Sequence, residues 1–120
     1  MVASSQKIGV FGETLAKDFL IRKGYAILHQ NLKIGYKELD IVAKKGDKTV
    51  FIEVKTRNLN SYPGADESLT QKQLQTLKKG IKNYCFSNKI NLKKIRVDLI
   101  AVNLIKQENK ANIKHFKDIF

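Results

Sequence analysis

The sequence predicts a single α/β domain in which helices flank a small mixed sheet, with element order α-β-β-β-α-β. Two segments carry apolar residues at steps of three and four, a spacing that is typical of amphipathic helices. Other segments alternate between apolar and polar residues and are rich in Val and Ile, as strands are. The length of 120 residues is that of one domain, so residues 1–120 are expected to form a single unit.

Capping residues and glycines predict where these elements begin and end. Ser4 or Ser5 can cap the first helix, and Gly24 ends it. Thr70 with Gln73 matches a capping box at the start of the second helix. The expected elements are a helix over 5–23, strands over 25–28, 37–44 and 49–56, a polar loop over 57–67 with Pro63-Gly64, a helix over 71–86, a strand over 94–103, and a tail over 111–120 that adds an edge strand.

The chain carries a large excess of positive charge. Its 23 Lys and Arg residues outnumber 11 Asp and Glu residues, which gives a net charge of +12. Such an excess in a small domain favours a polyanionic partner, most simply nucleic acid. Twenty of the basic residues are Lys and three are Arg, a mixture that favours phosphate contact over readout of base edges. A genomic bias toward Lys and Asn codons is the alternative explanation.

Several classes of protein are excluded by composition. No apolar run approaches the ~18 residues of a membrane span, so no membrane partner is expected. The single cysteine, Cys85, rules out internal disulfides and zinc sites built from several cysteines, and we place it in the core. These features predict a cytoplasmic protein.

The hairpin of the second and third strands brings two carboxylates together. With Gly46 and Asp47 at the centre of the turn, paired residue numbers sum to 93, so Asp40 lies opposite Glu53. Two carboxylates ~5 Å apart repel by roughly 3 kcal/mol at an effective dielectric near 20. We therefore expect a cation between them, either Lys55 or a divalent metal such as Mg²⁺, which prefers oxygen ligands.

A purely structural interpretation of the same hairpin stays open. Alternation places Leu39, Ile41 and Ala43 on one face of the second strand. The same register places Glu38 opposite Lys55, which would form a plain cross-strand salt bridge on a solvated face. Helices on both sides of the sheet favour the metal site, because central strands then rarely expose charge.

Glu13 lies on the first helix among small residues, Gly9, Gly12 and Ala16. A glycine within a helix costs about 1 kcal/mol. We expect these residues to allow the close approach of another backbone. Such a packing seam explains the glycines without any functional role, so Glu13 is a candidate on position alone.

Together these segments resemble the YraN-like family of small bacterial proteins, and the resemblance covers nearly the whole chain. The Glu-Val-Lys-Thr-Arg run over 53–57 is moderately specific alone, and it becomes specific together with the upstream Glu-x-Asp and the helical Gly-Glu. That family is similar to the PD-(D/E)XK nuclease superfamily, with a restriction-endonuclease-like fold, and in pattern to archaeal Holliday-junction resolvases. The matching segments are Gly12-Glu13, 37–43 and 50–57, with Gly24-Tyr25, Asn31, Gly64, Lys72-Gln73, Arg96-Val97-Asp98 and 113–116.

The resemblance implies a metal site for Mg²⁺ or Mn²⁺. It assigns Asp40, Glu53 and the carbonyl of Val54 as metal ligands. Lys55 would orient or deprotonate the attacking water, and Glu13 would hold a water or a second metal ion. The superfamily also includes members without activity, so the resemblance supports the fold more firmly than the reaction.

Lys37 departs from the family pattern, which usually has glycine directly before its Glu-x-Asp. We expect this lysine to change the strand twist or to add a phosphate contact, while leaving the metal site in place.

A basic surface is predicted on the second helix. The stretch 68–97 contains eight basic residues and no acid, and helical spacing groups several of them near one face. A solvated helix face is the alternative. The candidate nucleic-acid-binding residues are Lys37, Arg57, Lys72, Gln73, Lys78, Lys79 and Lys82.

Three further polar residues are expected to have no role in the chemistry. His29 and His115 lack a second metal ligand at suitable spacing, so we place both on the surface. Asp98 lies on the last predicted strand of the core, where we expect a structural ion pair with a neighbouring lysine.

The sequence therefore predicts a metal-dependent endonuclease that hydrolyses phosphodiester bonds in DNA, including branched or damaged DNA. The alternatives are a non-catalytic nucleic-acid-binding module of the same fold, and a structural protein in which the acidic cluster only orders the hairpin. A homodimer through Ile119 and Phe120 is a further expectation that the sequence does not decide.

Overall fold

The computed structural model describes residues 5–58 and 69–120, and within them two α-helices flank a five-stranded sheet. The predicted α/β class and α-β-β-β-α-β order are confirmed, and the edge strand predicted in the tail is present at the C-terminal end. The elements are α1 (Ser5–Arg22), β1 (Ala26–Ile34), β2 (Lys37–Lys45), β3 (Lys48–Asn58), α2 (Gln71–Ser87), β4 (Ile95–Ile105) and β5 (Lys110–Phe116), with short 3₁₀ helices at Leu92–Lys94 and Lys106–Glu108.

The strands lie in the sheet in chain order, β1-β2-β3-β4-β5. The pair β3–β4 is parallel and the other three pairs are antiparallel, so the sheet is mixed. The parallel pair needs a crossover, and α2 lies in the connection between β3 and β4.

Each face of the sheet packs against one helix, which gives two hydrophobic clusters. On one face Ala16 and Leu20 of α1 pack against Ile41, Ile52 and neighbouring apolar residues of β2, β3 and β4. On the other face Leu77, Ile81 and Cys85 of α2 pack against Val42, Phe51 and their neighbours. The predicted core position of Cys85 is confirmed, since its side chain is fully buried.

The predicted end of α1 at Gly24, the capping box of α2 and the turn between β2 and β3 are confirmed. Gly24, with φ of 91°, follows α1 in a backbone conformation that favours glycine. Gly46, with φ of 60°, forms the two-residue turn between β2 and β3 together with Asp47. Thr70 Oγ1 accepts from the N–H of Gln73, and Gln73 Oε1 accepts from the N–H of Thr70, which completes the capping box of α2.

Two expectations differ from the structure or fall outside it. The strand predicted over 25–28 extends to Ile34, because it pairs along nearly the whole of β2. The Ser4 cap and most of the predicted polar loop, including Pro63-Gly64, lie outside the described residues.

Candidate metal centre and basic surface

The turn between β2 and β3 sets the register that the sequence predicts. The ladder runs from Lys45–Lys48 to Ile41–Ile52, and each pair sums to 93. One step further, Asp40 Oδ2 accepts a hydrogen bond of 2.7 Å from the backbone N–H of Val54. The carboxylate of Asp40 thus binds the strand that carries Glu53.

Strand β2 breaks its alternation at Asp40. Leu39 packs in the α2-side cluster, whereas Ile41 and Ala43 pack in the α1-side cluster, so the expectation that all three share a face is wrong. On the neighbouring strand, Asn31 has a positive φ of 52° between the pairs Gln30–Ile41 and Leu32–Leu39. This local change of twist lies beside Asp40, where the candidate site is.

Asp40 and Glu53 interact through their side chains, as the register predicts. Burial raises the pKa of Glu53 to about 8, and the hydrogen bond and negative charge of Asp40 add to this effect. Burial also raises the pKa of Asp40, against the hydrogen bonds from Glu53 and from the Val54 N–H. Two buried carboxyl groups that resist ionisation together form a site whose charged state needs a cation.

Lys37 supplies that cation in the structure. Its Nζ lies 2.5 Å from Glu53 Oε2, with side chains 28% and 11% exposed. Lys37 thus forms an ion pair across β2 and β3, which the sequence did not predict, and its expected effect on strand twist or contact with phosphate stays a prediction. The ion pair opposes the burial that raises the pKa of Glu53.

Glu13 reaches the same site from α1. Its carboxyl group interacts with Asp40 by a hydrogen bond and by charge, and both effects raise the pKa of Asp40. The adjacent Gly12 explains the approach, because a Cβ built on it would lie 1.8 Å from Thr56 Oγ1 of β3. The predicted small-residue seam is thus confirmed at Gly12, whereas a Cβ on Gly9 would meet open space.

The remaining predicted site residues follow on β3. Val54 and Lys55 are half-buried, and Lys55 lies two residues after Glu53, on the same side of the strand. The expected pairing of Glu38 with Lys55 is not part of the β2–β3 ladder in the described residues. Glu38 is exposed and instead lies opposite Lys33 of β1.

The donor set fits a hard divalent cation such as Mg²⁺ or Mn²⁺. Mg²⁺ usually takes one or two carboxylates and keeps several waters, and Asp40 with Glu53 offers two carboxylates at a partly buried position. Within residues 5–58 and 69–120, however, no three acidic, histidine or cysteine side chains are gathered tightly enough to enclose a metal. Glu13 therefore contacts Asp40 without forming a three-residue ligand set with Asp40 and Glu53 in this arrangement.

The basic surface lies on the outer side of α2. Lys72, Lys78, Lys79 and Lys82 are all exposed, and Lys72 and Lys79 lie opposite the buried stripe of the helix. Lys78 Nζ lies 5.8 Å from the ring centre of Phe120. Of the other three predicted residues, Lys37 pairs with Glu53, Gln73 is exposed with its Oε1 in the α2 cap, and Arg57 is half-buried at the end of β3, opposite Asn103.

A buried polar cluster was missed by the sequence analysis. Asp98 is fully buried, and Arg96 Nε, His115 Nε2 and the N–H of Asp118 lie 2.7–3.0 Å from its oxygens. Burial opposes ionisation, but these hydrogen bonds outweigh it and lower the pKa of Asp98 to about 2. Arg96 Nη2 also bonds Tyr25 Oη at 2.5 Å, which ties β4 to the start of β1.

The structural role expected for Asp98 is thus confirmed in kind, but its cation is Arg96 and not a lysine. The surface position expected for His115 is wrong, since its side chain is only 9% exposed. His29 is exposed, as expected. The Arg96-Val97-Asp98 run was the one signal in the sequence that pointed to this cluster.

Residues 12–102 match the model of the uncharacterised protein family UPF0102. This range includes the C-terminal part of α1, all of α2 and the strands that carry Asp40 and Glu53. The chain belongs to this family. The predicted YraN-like membership is thereby confirmed.

UPF0102 relatives match the chain over almost their whole length. A UPF0102 protein of Flavobacterium psychrophilum is 37% identical over 119 residues, which cover 99% of this chain and 98% of that protein. Proteins of Syntrophomonas wolfei and Alkaliphilus oremlandii are 34% and 37% identical, and each match covers 97% of this chain and 99% of the relative.

A solved structure of SfsA from Pyrococcus furiosus in complex with Ca²⁺ aligns with this UPF0102 chain at a TM-score of 0.40 and 14% identity. The alignment covers 90% of this chain and 61% of that chain. This similarity is too low to transfer any feature of the SfsA site. In the described part of the chain, no helix is long and apolar enough to cross a membrane.

Proposed function

We propose that this protein is a metal-dependent endonuclease of the PD-(D/E)XK superfamily that hydrolyses phosphodiester bonds in DNA. The observation that carries the proposal is the contact between the carboxyl groups of Asp40, which is half-buried, and Glu53, which is buried, where β2 and β3 continue past their ladder. Two neighbouring carboxyl groups repel each other when both are ionised, and a divalent cation bound between them would offset that repulsion.

Each residue of the site has a chemical role in this proposal. Asp40 and Glu53, with the carbonyl of Val54, would hold Mg²⁺ or Mn²⁺. The Val54 N–H already fixes one oxygen of Asp40, so the carboxylate is oriented before a cation arrives. The bound ion would supply polarisation of the phosphodiester and of an attacking water.

Lys55 and Glu13 act on the reacting groups. Lys55 would orient or deprotonate the water whose oxygen bonds to phosphorus, and its charge would stabilise the negative charge that develops on the phosphoryl oxygens. Glu13 would hold a water beside Asp40. The bond from phosphorus to the leaving sugar oxygen then breaks, and that oxygen takes up a proton.

The net charge of +12 and the exposed lysines of α2 support nucleic acid as the substrate. Lysines that project from a helix can contact the phosphate backbone without reading its sequence. Branched or damaged DNA fits such a surface, because neither is defined by a base sequence.

The test is cleavage of linear, supercoiled and four-way-junction DNA with Mg²⁺ or Mn²⁺, comparing the parent with Asp40→Asn. Asp47→Asn, an identical change at the exposed turn, is the matched control. We expect cleavage by the parent and by Asp47→Asn, and none by Asp40→Asn or in chelator. Equal cleavage by the parent and Asp40→Asn would place any activity outside this site.

A second candidate function is a nucleic-acid-binding module of the same fold without activity. The ion pair between Lys37 and Glu53 favours it, because a lysine there neutralises Glu53 without any metal. No cleavage by the parent on any of the three DNA forms, together with salt-sensitive DNA binding, would select this candidate.

A further inference from the structure

A concave site separate from the carboxylate pair includes Lys45, the last residue of β2. It has a volume of about 250 Å³, and we call it the lysine pocket. Lys45 belongs to it and lies five residues along β2 from Asp40, or ~16 Å at ~3.3 Å per residue. The residues that line it are Phe19, Lys23, Tyr25, Lys45, His115 and Lys117.

The charges of this pocket are all of one sign. Its lining holds three lysines and contains no Asp or Glu. Asp98, which contacts His115, is already paired with Arg96. Three ammonium groups around one cavity repel one another, and an anion between them relieves that repulsion.

Two of the lysines are held in place. Lys45 Nζ donates to the carbonyl of Lys23 at 2.5 Å and lies 5.1 Å from the ring centre of Tyr25. Lys23 Nζ lies 5.6 Å from the ring centre of Phe19. An ammonium group has three donor hydrogens, so Lys45 keeps two for a ligand.

Aromatic rings form the rest of the wall and are fixed as well. The ring of His115 lies edge-on to Phe19 at 6.0 Å and tilted to Tyr25 at 6.1 Å. His115 is anchored by its Nε2 contact of 2.7 Å with Asp98. The pocket thus combines a cationic rim with rigid ring surfaces, which suits a ligand that has both an anionic and a flat part.

We propose that the lysine pocket binds a nucleoside monophosphate group, with the phosphate between Lys23, Lys45 and Lys117 and the sugar or base against Phe19 and His115. The group can come from a free mononucleotide or from the phosphorylated end of a DNA strand. The proposal is independent of the metal centre, because it uses none of its residues.

The test measures binding of dTMP, inorganic phosphate and thymidine to the full chain by isothermal titration calorimetry at low salt. The variant is Lys23→Gln with Lys117→Gln, which leaves the Lys45 contact with the α1 terminus intact. The control is Lys93→Gln with Lys94→Gln, the same charge change at exposed positions away from the pocket. Thermal melts of all three proteins check that they are folded.

We expect dTMP to bind more tightly than phosphate or thymidine alone, since only dTMP uses both parts of the pocket. The pocket variant should weaken dTMP binding by roughly tenfold or more, the effect of losing charged hydrogen bonds, and the control by less than about twofold. Phe19→Leu should reduce the preference for dTMP over inorganic phosphate. Equal losses in the pocket variant and the control, or no preference for dTMP over phosphate, would overturn the proposal.

The source of the ligand is tested with short DNA duplexes that carry either a 5′-phosphate or a 5′-hydroxyl. Tighter binding of the phosphorylated duplex by the parent, lost in the pocket variant, assigns the pocket to a strand end. Equal binding of the two duplexes together with pocket-dependent dTMP binding assigns it to a free nucleotide.

Discussion

Lys37 Nζ and Glu53 Oε2 form an ion pair of 2.5 Å between β2 and β3, beside a carboxyl group that has Asp40 as its other neighbour. Glu53 therefore lies between a cation and a potential anion. A divalent metal bound by Asp40 and Glu53 would have to share Glu53 with the ammonium group of Lys37 or displace it.

Lys37→Gln should therefore lower stability in the absence of metal and increase the stabilisation that a metal provides. In chelator near pH 8.5, loss of the half-buried ion pair should lower the free energy of unfolding by about 1 kcal/mol. With Mn²⁺, the variant should gain more melting temperature than the parent does, because the metal no longer competes with the lysine.

Thermal melts with chelator and with a series of Mn²⁺ concentrations measure both effects. Lys48→Gln, at an exposed position of β3, is the matched control and should behave as the parent does. Equal metal-induced shifts in Lys37→Gln and the parent would show that the ion pair and the metal do not compete.

Glu53→Gln should make the stability of the fold less dependent on pH. The pKa of Glu53 is about 8 in the folded protein against 4.5 for an ordinary glutamate, so the folded state binds more protons than the unfolded chain between these values. The parent should therefore lose stability as pH rises from about 4.5 to about 8. Glutamine does not titrate, so the variant should escape this loss.

Denaturant unfolding in chelator from pH 5 to 9 tests this prediction. As pH rises, the free energy of unfolding of the variant should increase relative to that of the parent by up to a few kcal/mol, since one unit of pKa shift corresponds to ~1.4 kcal/mol. The variant also loses the ion pair with Lys37, and this loss reduces its gain in stability. If the difference in the free energy of unfolding between variant and parent stays constant across this range, the pKa of Glu53 is the same in the folded and unfolded states.

The proximity of Asp40 and Glu53 could be predicted from sequence because the geometry of a hairpin is local. A two-residue turn at Gly46-Asp47 sets the register of the ladder up to Ile41–Ile52, and extending that register by one residue brings Asp40 close to Glu53. The face of Leu39 could not be predicted in this way, because the alternation breaks beside Asn31, whose positive φ belongs to another strand.

The contacts that the sequence did not predict are made by long side chains or by distant residues. Lys37 reaches Glu53 from a position that does not lie opposite it, so no pairing rule relates the two. His115 reaches Asp98 because β5 pairs with β4, and the sequence predicted that edge strand only weakly. Such contacts depend on the assembled sheet.

Replacing the exposed lysines of α2 should weaken DNA binding and make it less sensitive to salt concentration. The logarithm of the affinity falls with the logarithm of salt concentration by a slope of about −0.9 per phosphate neutralised. Lys78→Ala, Lys79→Ala and Lys82→Ala together should make the slope less negative by up to ~2.7, equally for all DNA sequences.

Fluorescence anisotropy with labelled duplexes across a salt series measures the slope. Alanine at Lys48, Lys93 and Lys94 removes the same charge from exposed positions outside α2 and is the control. A similar change of slope in both triple variants would mean that total charge, and not the α2 surface, controls binding. Loss of a sequence preference in the α2 variant would contradict simple phosphate contact.

The two glycines of α1 should respond oppositely to alanine. A Cβ on Gly9 meets nothing within 4 Å, so Gly9→Ala should add about 1 kcal/mol of stability through helix propensity. A Cβ on Gly12 would lie 1.8 Å from Oγ1 and 2.8 Å from Cβ of Thr56, a β-branched side chain with little freedom to turn away. Gly12→Ala should therefore cost about 1–3 kcal/mol, the usual range for overpacking.

Denaturant unfolding of the two variants, and of Gly12→Ala combined with Thr56→Ala, separates this contact from a general effect on the helix. The second substitution removes the closest atom, so the double variant should be more stable than the sum of the two single effects predicts. Because Glu13 follows Gly12 directly, a displaced helix would also move its carboxyl group away from Asp40, and any cleavage activity should fall in Gly12→Ala but not in Gly9→Ala. A Gly12→Ala protein as stable as Gly9→Ala would show that α1 does not need this close approach to β3, and the placement of Glu13 beside Asp40 would lose its structural cause.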